Sequence, residues 1–182
     1  STWRFNRADA LTLIVTFVMV LLAGVEIGLL SGVALSIALL LQRNSHPHIA
    51  IVGRVGDSEH FRNIKRFDVK TNPCCIGLRI DENLYFANTR YIEDEVMAIV
   101  AEQPQLQHLV IICSAISFID ASALETLEML KDNLQESGVT LHLADVKGPV
   151  MDQLKQTRFI EHLAPGQVYL STHEAMRDLC DL

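Results

Sequence analysis

The residues with the clearest chemical potential lie where a buried strand is predicted to meet a helix. Residues 118–125 have the sequence Phe-Ile-Asp-Ala-Ser-Ala-Leu-Glu. Ser122 and Glu125 have the spacing of a capping box, in which the serine oxygen accepts from the amide of residue 125 and the glutamate reaches back. The free amides and the positive end of the helix would also suit an anion. A phosphate on Ser122 would gain from this site, although Asp120 and Glu125 would oppose it by like charge.

A second candidate loop, residues 145–149, follows the next predicted strand, and Asp145 could cap the short helix after it. Ligands of open α/β sheets often bind at the carboxyl ends of the strands. A nucleotide or a partner protein that touches both loops is therefore a hypothesis. Its candidate contacts are Asp120, Ala121, Ser122, Ala123, Asp145 and Lys147.

No set of residues predicts an enzyme, a cofactor or a resident metal. His142 could act as a base for Ser122, but it lies in a predicted strand and no third residue is placed to orient it. The histidines and cysteines between residues 46 and 75 match no zinc-binding spacing.

Strands and helices alternate in the second half of the chain. Strands are predicted over residues 75–80, 83–86, 109–113, 139–143 and 168–170, and helices over 88–101, 121–134, 150–157 and 172–180. Asp81 and Glu82 are predicted to form the turn of a hairpin between the first two strands. The order β-β-α-β-α-β-α-β-α predicts an α/β fold with a mostly parallel sheet.

Charge divides the chain into a basic and an acidic part. Residues 1–66 carry seven Lys/Arg and four Asp/Glu, whereas residues 67–182 carry eight and eighteen. The acidic part argues against nucleic acid as a partner, since phosphates require a basic face. The four cysteines do not form the pattern of a secreted disulfide framework, which favours a reducing, cytosolic compartment.

The excess of apolar residues lies in two uncharged runs, residues 10–25 and 27–42, separated by Glu26. One long tilted helix would place Glu26 within the membrane at a cost of several kcal/mol. Two short helices would place it at a polar tip instead. Arginines flank both ends of the region, and the positive-inside tendency then puts both ends in the cytoplasm, which favours a hairpin. Trp3 is expected to be an interfacial anchor.

Gly24, Gly28 and Gly32 recur every four residues and predict a face on which membrane helices pack closely. Neither apolar run has the polar stripe of a soluble amphipathic helix. A hairpin of two short helices needs further helices around it, so we expect this sequence to be a fragment of a larger membrane protein. The predicted divisions are a hairpin over residues 1–43, a linker over 44–66 and a cytoplasmic domain over 67–182.

Three stretches resemble one known family in the order in which that family has them. The Asp-x-Ser-Ala-Leu run at Asp120 resembles the signature loop of STAS domains, which occur in anti-sigma factor antagonists and in sulfate permease (SulP) transporters. The segment from Asp81 to Tyr91, with its Leu-Tyr-Phe-Ala-Asn run, resembles the SulP version. Residues 24–33 are similar to the last membrane hairpin of those transporters.

The resemblance implies a secondary-active transporter of sulfate or a related small anion in the inner (cytoplasmic) membrane, with the STAS domain as a cytoplasmic regulatory or assembly module. Its implied partners are lipid, the remaining transmembrane helices and a second copy in a homodimer, and the anion would bind outside this sequence. Ser122 matches the serine that is phosphorylated in anti-sigma factor antagonists, but alanines replace the serine and glycine that usually flank it. A free-standing antagonist is the alternative, and the hairpin argues against it.

Overall fold

The computed structural model describes residues 7–182, with side chains from Ala10 onward, and Trp3 and Arg4 therefore lie outside the described residues. The chain forms two compact units, Ser1–Ser45 and His46–Leu182.

The first unit is a helical hairpin of α1 (Arg7–Ala23) and α2 (Val25–Asn44). Gly24 joins them with φ +90°, a left-handed conformation that favours glycine, and Glu26 follows in the first turn of α2. The carboxylate thus lies near the positive end of that helix, as the two-helix interpretation requires. α2 has 20 residues and a hydropathy of 1.9, which suffice for a membrane span of about 30 Å. The apolar part of α1, Ala10–Ala23, is shorter.

Gly28 and Gly32 are the buried residues of α2 and face α1. A Cβ atom on Gly28 would lie 2.6 Å from the backbone nitrogen of Val20 and 2.7 Å from its Cα, and one on Gly32 would meet the side chain of Thr16. These contacts run in opposite directions along the two helices, so α1 and α2 are antiparallel. Gly24 lies in the turn rather than on this face.

The outer surface of the hairpin is apolar. Leu22 is 80% exposed and Leu30 is 70% exposed, and leucine, isoleucine, valine and phenylalanine side chains are exposed along both helices. Such a surface is unfavourable in water, where contiguous apolar patches of this kind mark sites that another phase or protein covers.

The second unit contains a six-stranded sheet in the order β2-β1-β3-β4-β5-β6. β3 to β6 are parallel, whereas β1 is antiparallel to both of its neighbours, so the sheet is mostly parallel as expected. Its strands are β1 (Ile49–Arg54), β2 (Phe61–Asn63), β3 (Cys75–Ile80), β4 (His108–Ile112), β5 (Thr140–Ala144) and β6 (Val168–Tyr169).

Helices cover both faces of the sheet because its central strands are apolar on both sides. On β4, Leu109 and Ile111 belong to the larger core and Val110 and Ile112 to the smaller one. The larger core is covered by α3 (Thr89–Ala101), α4 (Ala121–Glu136), α5 (Gly148–Gln156) and α6 (Phe159–His162), and the smaller one by α7 (Thr172–Cys180).

Three features differ from the sequence predictions. Residues 83–86 are not a strand; Leu84 makes only an isolated parallel bridge to Ile119, so the predicted hairpin with a turn at Asp81-Glu82 is wrong. Residues 44–66, predicted as a linker, contribute β1 and β2 to the sheet. Four-residue α6 was not predicted.

Cysteine pairing also differs from the expectation of reduced thiols. Cys75 at the start of β3 is bonded to Cys180 at the end of α7, with 5.3 Å between their Cα atoms. Cys74 and Cys113 are free. The pairing could not be read from the sequence, because 105 residues separate the two cysteines.

Candidate functional site

The loops that follow β3, β4 and β5 form the candidate site. These strands are parallel neighbours, so their carboxyl ends meet at one edge of the sheet. The loops comprise residues 81–88, 113–120 and 145–147, and each leads into one of the helices α3, α4 and α5.

Asp120 is the N-cap of α4. One carboxylate oxygen accepts from the amide of Ala123 at 2.8 Å, and the other accepts from the amide of Phe86 at 2.8 Å. The capping box predicted for Ser122 and Glu125 is therefore wrong. Ser122 already lies in the first turn of the helix, whereas Asp120 has the extended conformation that a cap requires.

Ser122 is exposed on the first turn of α4, next to the exposed Ala121 and before the buried Ala123. Its carbonyl oxygen accepts from the Thr126 hydroxyl at 2.9 Å. Its own hydroxyl makes no hydrogen bond within residues 10–182, so it is accessible to a modifying enzyme.

Two asparagines that the sequence analysis did not assign to the site hold the first two loops together. The side-chain oxygen of Asn83 accepts from the amides of Ser117 and Phe118, at 2.8 and 3.1 Å. Asn88 is fully buried; it accepts from the amide of Tyr85 and donates to the Asn83 carbonyl at 2.8 Å. Buried amide side chains need such hydrogen-bond partners. In residues 83–88 these side-chain bonds take the place of the backbone hydrogen bonds that the predicted strand would have made.

The third loop, residues 145–147, is hydrogen-bonded both to the loop after β4 and to the start of α7. Lys147 donates to the Ser117 hydroxyl at 2.8 Å, which connects the loops after β4 and β5. Asp145 has φ +55°, and its carboxylate accepts from the amide and the hydroxyl of Thr172 at the start of α7. The structure thus brings Asp120, Ser122 and Lys147 to one edge of the sheet. The carboxylate of Asp145 is hydrogen-bonded to Thr172 instead.

The buried groups near this edge are poorly suited to nucleophilic or metal chemistry. Burial, and secondarily the charge of Asp145, raises the pKa of the Cys113 thiol to about 12, so it stays protonated. His142 lies within β5, where its ring contacts His108 rather than Ser122. Within the described part of the chain, no three His, Cys, Asp or Glu side chains converge as a metal site would require.

A sheet with this strand order, helices on both faces and an Asp-capped loop leading into α4 defines a domain of the STAS type. The STAS domain family model matches residues 66–175, and the chain belongs to that family.

The similarity to one curated relative extends over almost the whole chain. Sulfate transporter 1.3 of Arabidopsis thaliana is 30% identical over 188 residues, which include 98% of this chain and 28% of that protein. The chain thus spans little more than a quarter of the length of this relative, and it is homologous to the STAS-containing region of sulfate transporters.

Solved structures share the fold. The murine Solute Carrier 26 family member A9 anion transporter, in the inward-facing state, matches 100% of this chain and 30% of its own, with a TM-score of 0.88 and 21% identity. An anti-sigma factor antagonist from Mycobacterium paratuberculosis matches 72% of this chain and 94% of its own, with a TM-score of 0.50 and 16% identity.

Proposed function

We propose that the chain is the C-terminal part of a secondary-active membrane transporter of sulfate or a related small anion. In this proposal α1 and α2 are its last two transmembrane helices, and the STAS domain is its cytoplasmic regulatory or assembly module. The transporter is multi-pass in the inner membrane, acts as a homodimer and binds its anion between helices that precede this sequence.

The observation that supports this proposal most directly is the extent of the match. In sequence, the sulfate transporter aligns with 98% of the chain, including the apolar hairpin. In structure, the antagonist matches only 72% of the chain. The exposed leucine, isoleucine and valine side chains of the hairpin require lipid or other helices around them. A free-standing antagonist has no use for such a surface.

The first test measures the native polypeptide with an antibody against residues 46–182. The proposal expects a membrane-bound protein several times larger than 20.3 kDa. The purified full-length protein in proteoliposomes should then accumulate radiolabelled sulfate or a related anion. A soluble polypeptide near 20.3 kDa would contradict the proposal and would favour the antagonist instead.

Regulation through the exposed Ser122 remains a prediction within this proposal. A phosphate there would lie at the N-terminus of α4, where the helix dipole stabilises it, and beside the already occupied carboxylate of Asp120. Mass spectrometry of the native protein would detect the phosphoserine, and Ser122→Ala should change the rate of anion uptake if the modification is regulatory.

A further inference from the structure

Three arginines line one open cleft beside β2. Arg62, Arg66 and Arg79 surround a volume of about 250 Å³, and Asp81 is the acidic residue among the lining side chains. Arginine guanidinium groups bind phosphate-type oxyanions in a bidentate manner, and clusters of them are typical of sites for such groups.

Asp81 does not neutralise the whole cluster. Its oxygens accept from Arg79 at 2.6 and 3.1 Å and from His48 at 2.8 Å. Burial alone would raise the pKa of Asp81, but these two partners outweigh it and lower that pKa, so the carboxylate stays ionised and paired. Arg62 and Arg66, by contrast, are exposed and form no ion pair with any side chain from residue 10 to residue 182.

Apolar side chains accompany these charges. Residues 61–67 have the sequence Phe-Arg-Asn-Ile-Lys-Arg-Phe, with three basic and no acidic residues. Phe67 is 51% exposed and Ile64 is 37% exposed. Exposed aromatic rings interleaved with lysine and arginine are typical of segments that lie in the interfacial layer of a membrane. A free inorganic anion would need the arginines but not the exposed ring.

The charge of the surrounding sequence favours the same partner. Residues 43–70, which follow the apolar part of the hairpin, carry six Lys/Arg and three Asp/Glu. Residues 71–182 carry seven and seventeen, so the rest of the STAS domain would be repelled by an anionic surface. Basic clusters that directly follow a transmembrane helix on its cytoplasmic side bind anionic lipid headgroups.

We propose that residues 61–67, together with the cleft of Arg62, Arg66 and Arg79, bind anionic phospholipid headgroups. The inference rests on the proposed membrane insertion of α1 and α2, which tethers the second unit to a bilayer through the chain at residues 45–46. Binding would order the segment. It would also place a lipid-dependent contact at β2, the edge strand that pairs with β1.

The test uses the full 182-residue chain in nanodiscs and follows amide hydrogen exchange at residues 61–70. Nanodiscs of phosphatidylcholine alone are compared with nanodiscs that also contain increasing amounts of phosphatidylglycerol. Exchange should slow as phosphatidylglycerol is added, and high salt should reverse the effect. Arg62→Glu with Arg66→Glu should weaken the response by at least fivefold for each arginine, a factor that corresponds to about 1 kcal/mol per charge.

A matched control separates this site from general charge. Arg90→Glu with Lys155→Glu makes the same change in net charge at two exposed residues elsewhere on the domain, and it should leave the lipid response unchanged. Arg62→Lys with Arg66→Lys should retain most of the response, which would also show that the segment tolerates substitution. Phe67→Ala should weaken it without changing its salt dependence.

Several outcomes would overturn the inference. Equal protection by inorganic sulfate or phosphate in neutral nanodiscs would indicate a site for a free oxyanion, and protection that depends only on protein concentration would indicate a second copy of the chain. If the amides of α1 and α2 are protected from exchange in nanodiscs but those of residues 61–70 are not, the lipid site alone is refuted. Recovery of the native full-length protein from the soluble fraction rather than from membranes would refute the membrane hairpin, and the lipid site with it.

Discussion

The carboxylate of Asp120 joins two segments that the sequence places far apart. One oxygen accepts a hydrogen bond from the Ala123 amide in the first turn of α4. The other accepts from the Phe86 amide in the loop that precedes α3. A single side chain therefore positions the exposed Ser122 relative to residues 81–88. The importance of Asp120 could be predicted from its place between a strand and a helix, but its second partner depends on the packing of two loops.

We expect Asp120→Ala to destabilise the protein by about 1–3 kcal/mol, because it removes a helix cap and leaves a second amide without its partner. Ser122→Ala should change the free energy of unfolding by less than about 0.5 kcal/mol, since Ser122 is exposed and caps nothing. Urea denaturation followed by circular dichroism measures both. A larger loss of stability in Ser122→Ala than in Asp120→Ala would instead support Ser122 as the cap of α4.

His142 is a buried histidine whose neutral form the fold requires. Its Nδ1 accepts from the amide of Gln167 at 3.2 Å, so its Nε2 carries the proton and donates to Nδ1 of His108 at 3.2 Å. Burial, followed by the neighbouring His108, lowers the pKa of His142 from its usual 6.5 to about 4.

This lowered pKa predicts a loss of stability in mild acid. Below pH 6.5 the unfolded chain gains a proton that the folded chain takes up only near pH 4, so stability is complete above pH 6.5 and falls between these values. The loss should be roughly 3 kcal/mol between pH 7 and pH 4. Urea denaturation of His142→Gln should show a much flatter dependence in this window, and His108→Gln a partly reduced one. An unchanged dependence in His142→Gln would contradict the assignment.

At the scale of elements, hydrophobic patterning predicted the regular structure well and the loops poorly. The strand at Cys75–Ile80 and the type of every longer helix followed from patterns that local sequence determines. Residues 83–86 have the apolar content of a strand, yet Asn83 and Asn88 fix them as a loop through hydrogen bonds to amides 3 to 35 residues away. Such partners exist only in the folded domain, and no local pattern contains them.

The hairpin offers a test of close helix packing. Gly28→Ile should force α1 and α2 apart, because the new side chain would meet the backbone of Val20, which cannot move aside as a flexible side chain would. Overpacking of this kind costs about 1–3 kcal/mol. Ser31→Ile is the matched control, since Ser31 is only partly buried on α2 and its hydroxyl bonds to the carbonyl of Ile27 rather than to α1.

Spin labels at two exposed positions of equal height, Leu11 and Ile37, would measure this separation in detergent. A Cys74→Ser background avoids labelling the partly accessible thiol. We expect a longer and broader distance distribution in Gly28→Ile and the wild-type distribution in Ser31→Ile. Identical distributions in both would mean that the glycine face is not required.

At the scale of the whole molecule, the division of the chain depends on β1 and β2. The compact unit begins at His46, whereas the sequence placed the start of the soluble domain at Phe67 and the family model matches from residue 66. Residues 44–66 are basic and contain Pro47, Gly53 and Gly56, a composition that suggests a connector. β1 is held in the sheet by its pairing with β3, and β2 by its pairing with β1.

We therefore expect residues 46–182 to fold as an independent polypeptide and residues 67–182 to be much less stable. β1 pairs with β3 from Ile49 opposite Ile80 to Val52 opposite Gly77, and Ile49 and Ile51 pack against the larger core. Without β1 and β2, β3 becomes an unprotected sheet edge beside uncovered apolar side chains, a combination that promotes aggregation.

Size-exclusion chromatography and urea denaturation of the two polypeptides test this expectation. Residues 46–182 should elute as a single species and unfold cooperatively, and residues 67–182 should aggregate or unfold at a clearly lower urea concentration. A control removes Asp181 and Leu182 from the longer polypeptide, because this truncation shortens the chain without removing a strand of the sheet. Equal stability of residues 46–182 and 67–182 would show that β1 and β2 are dispensable, and the STAS domain would then begin where the sequence placed it.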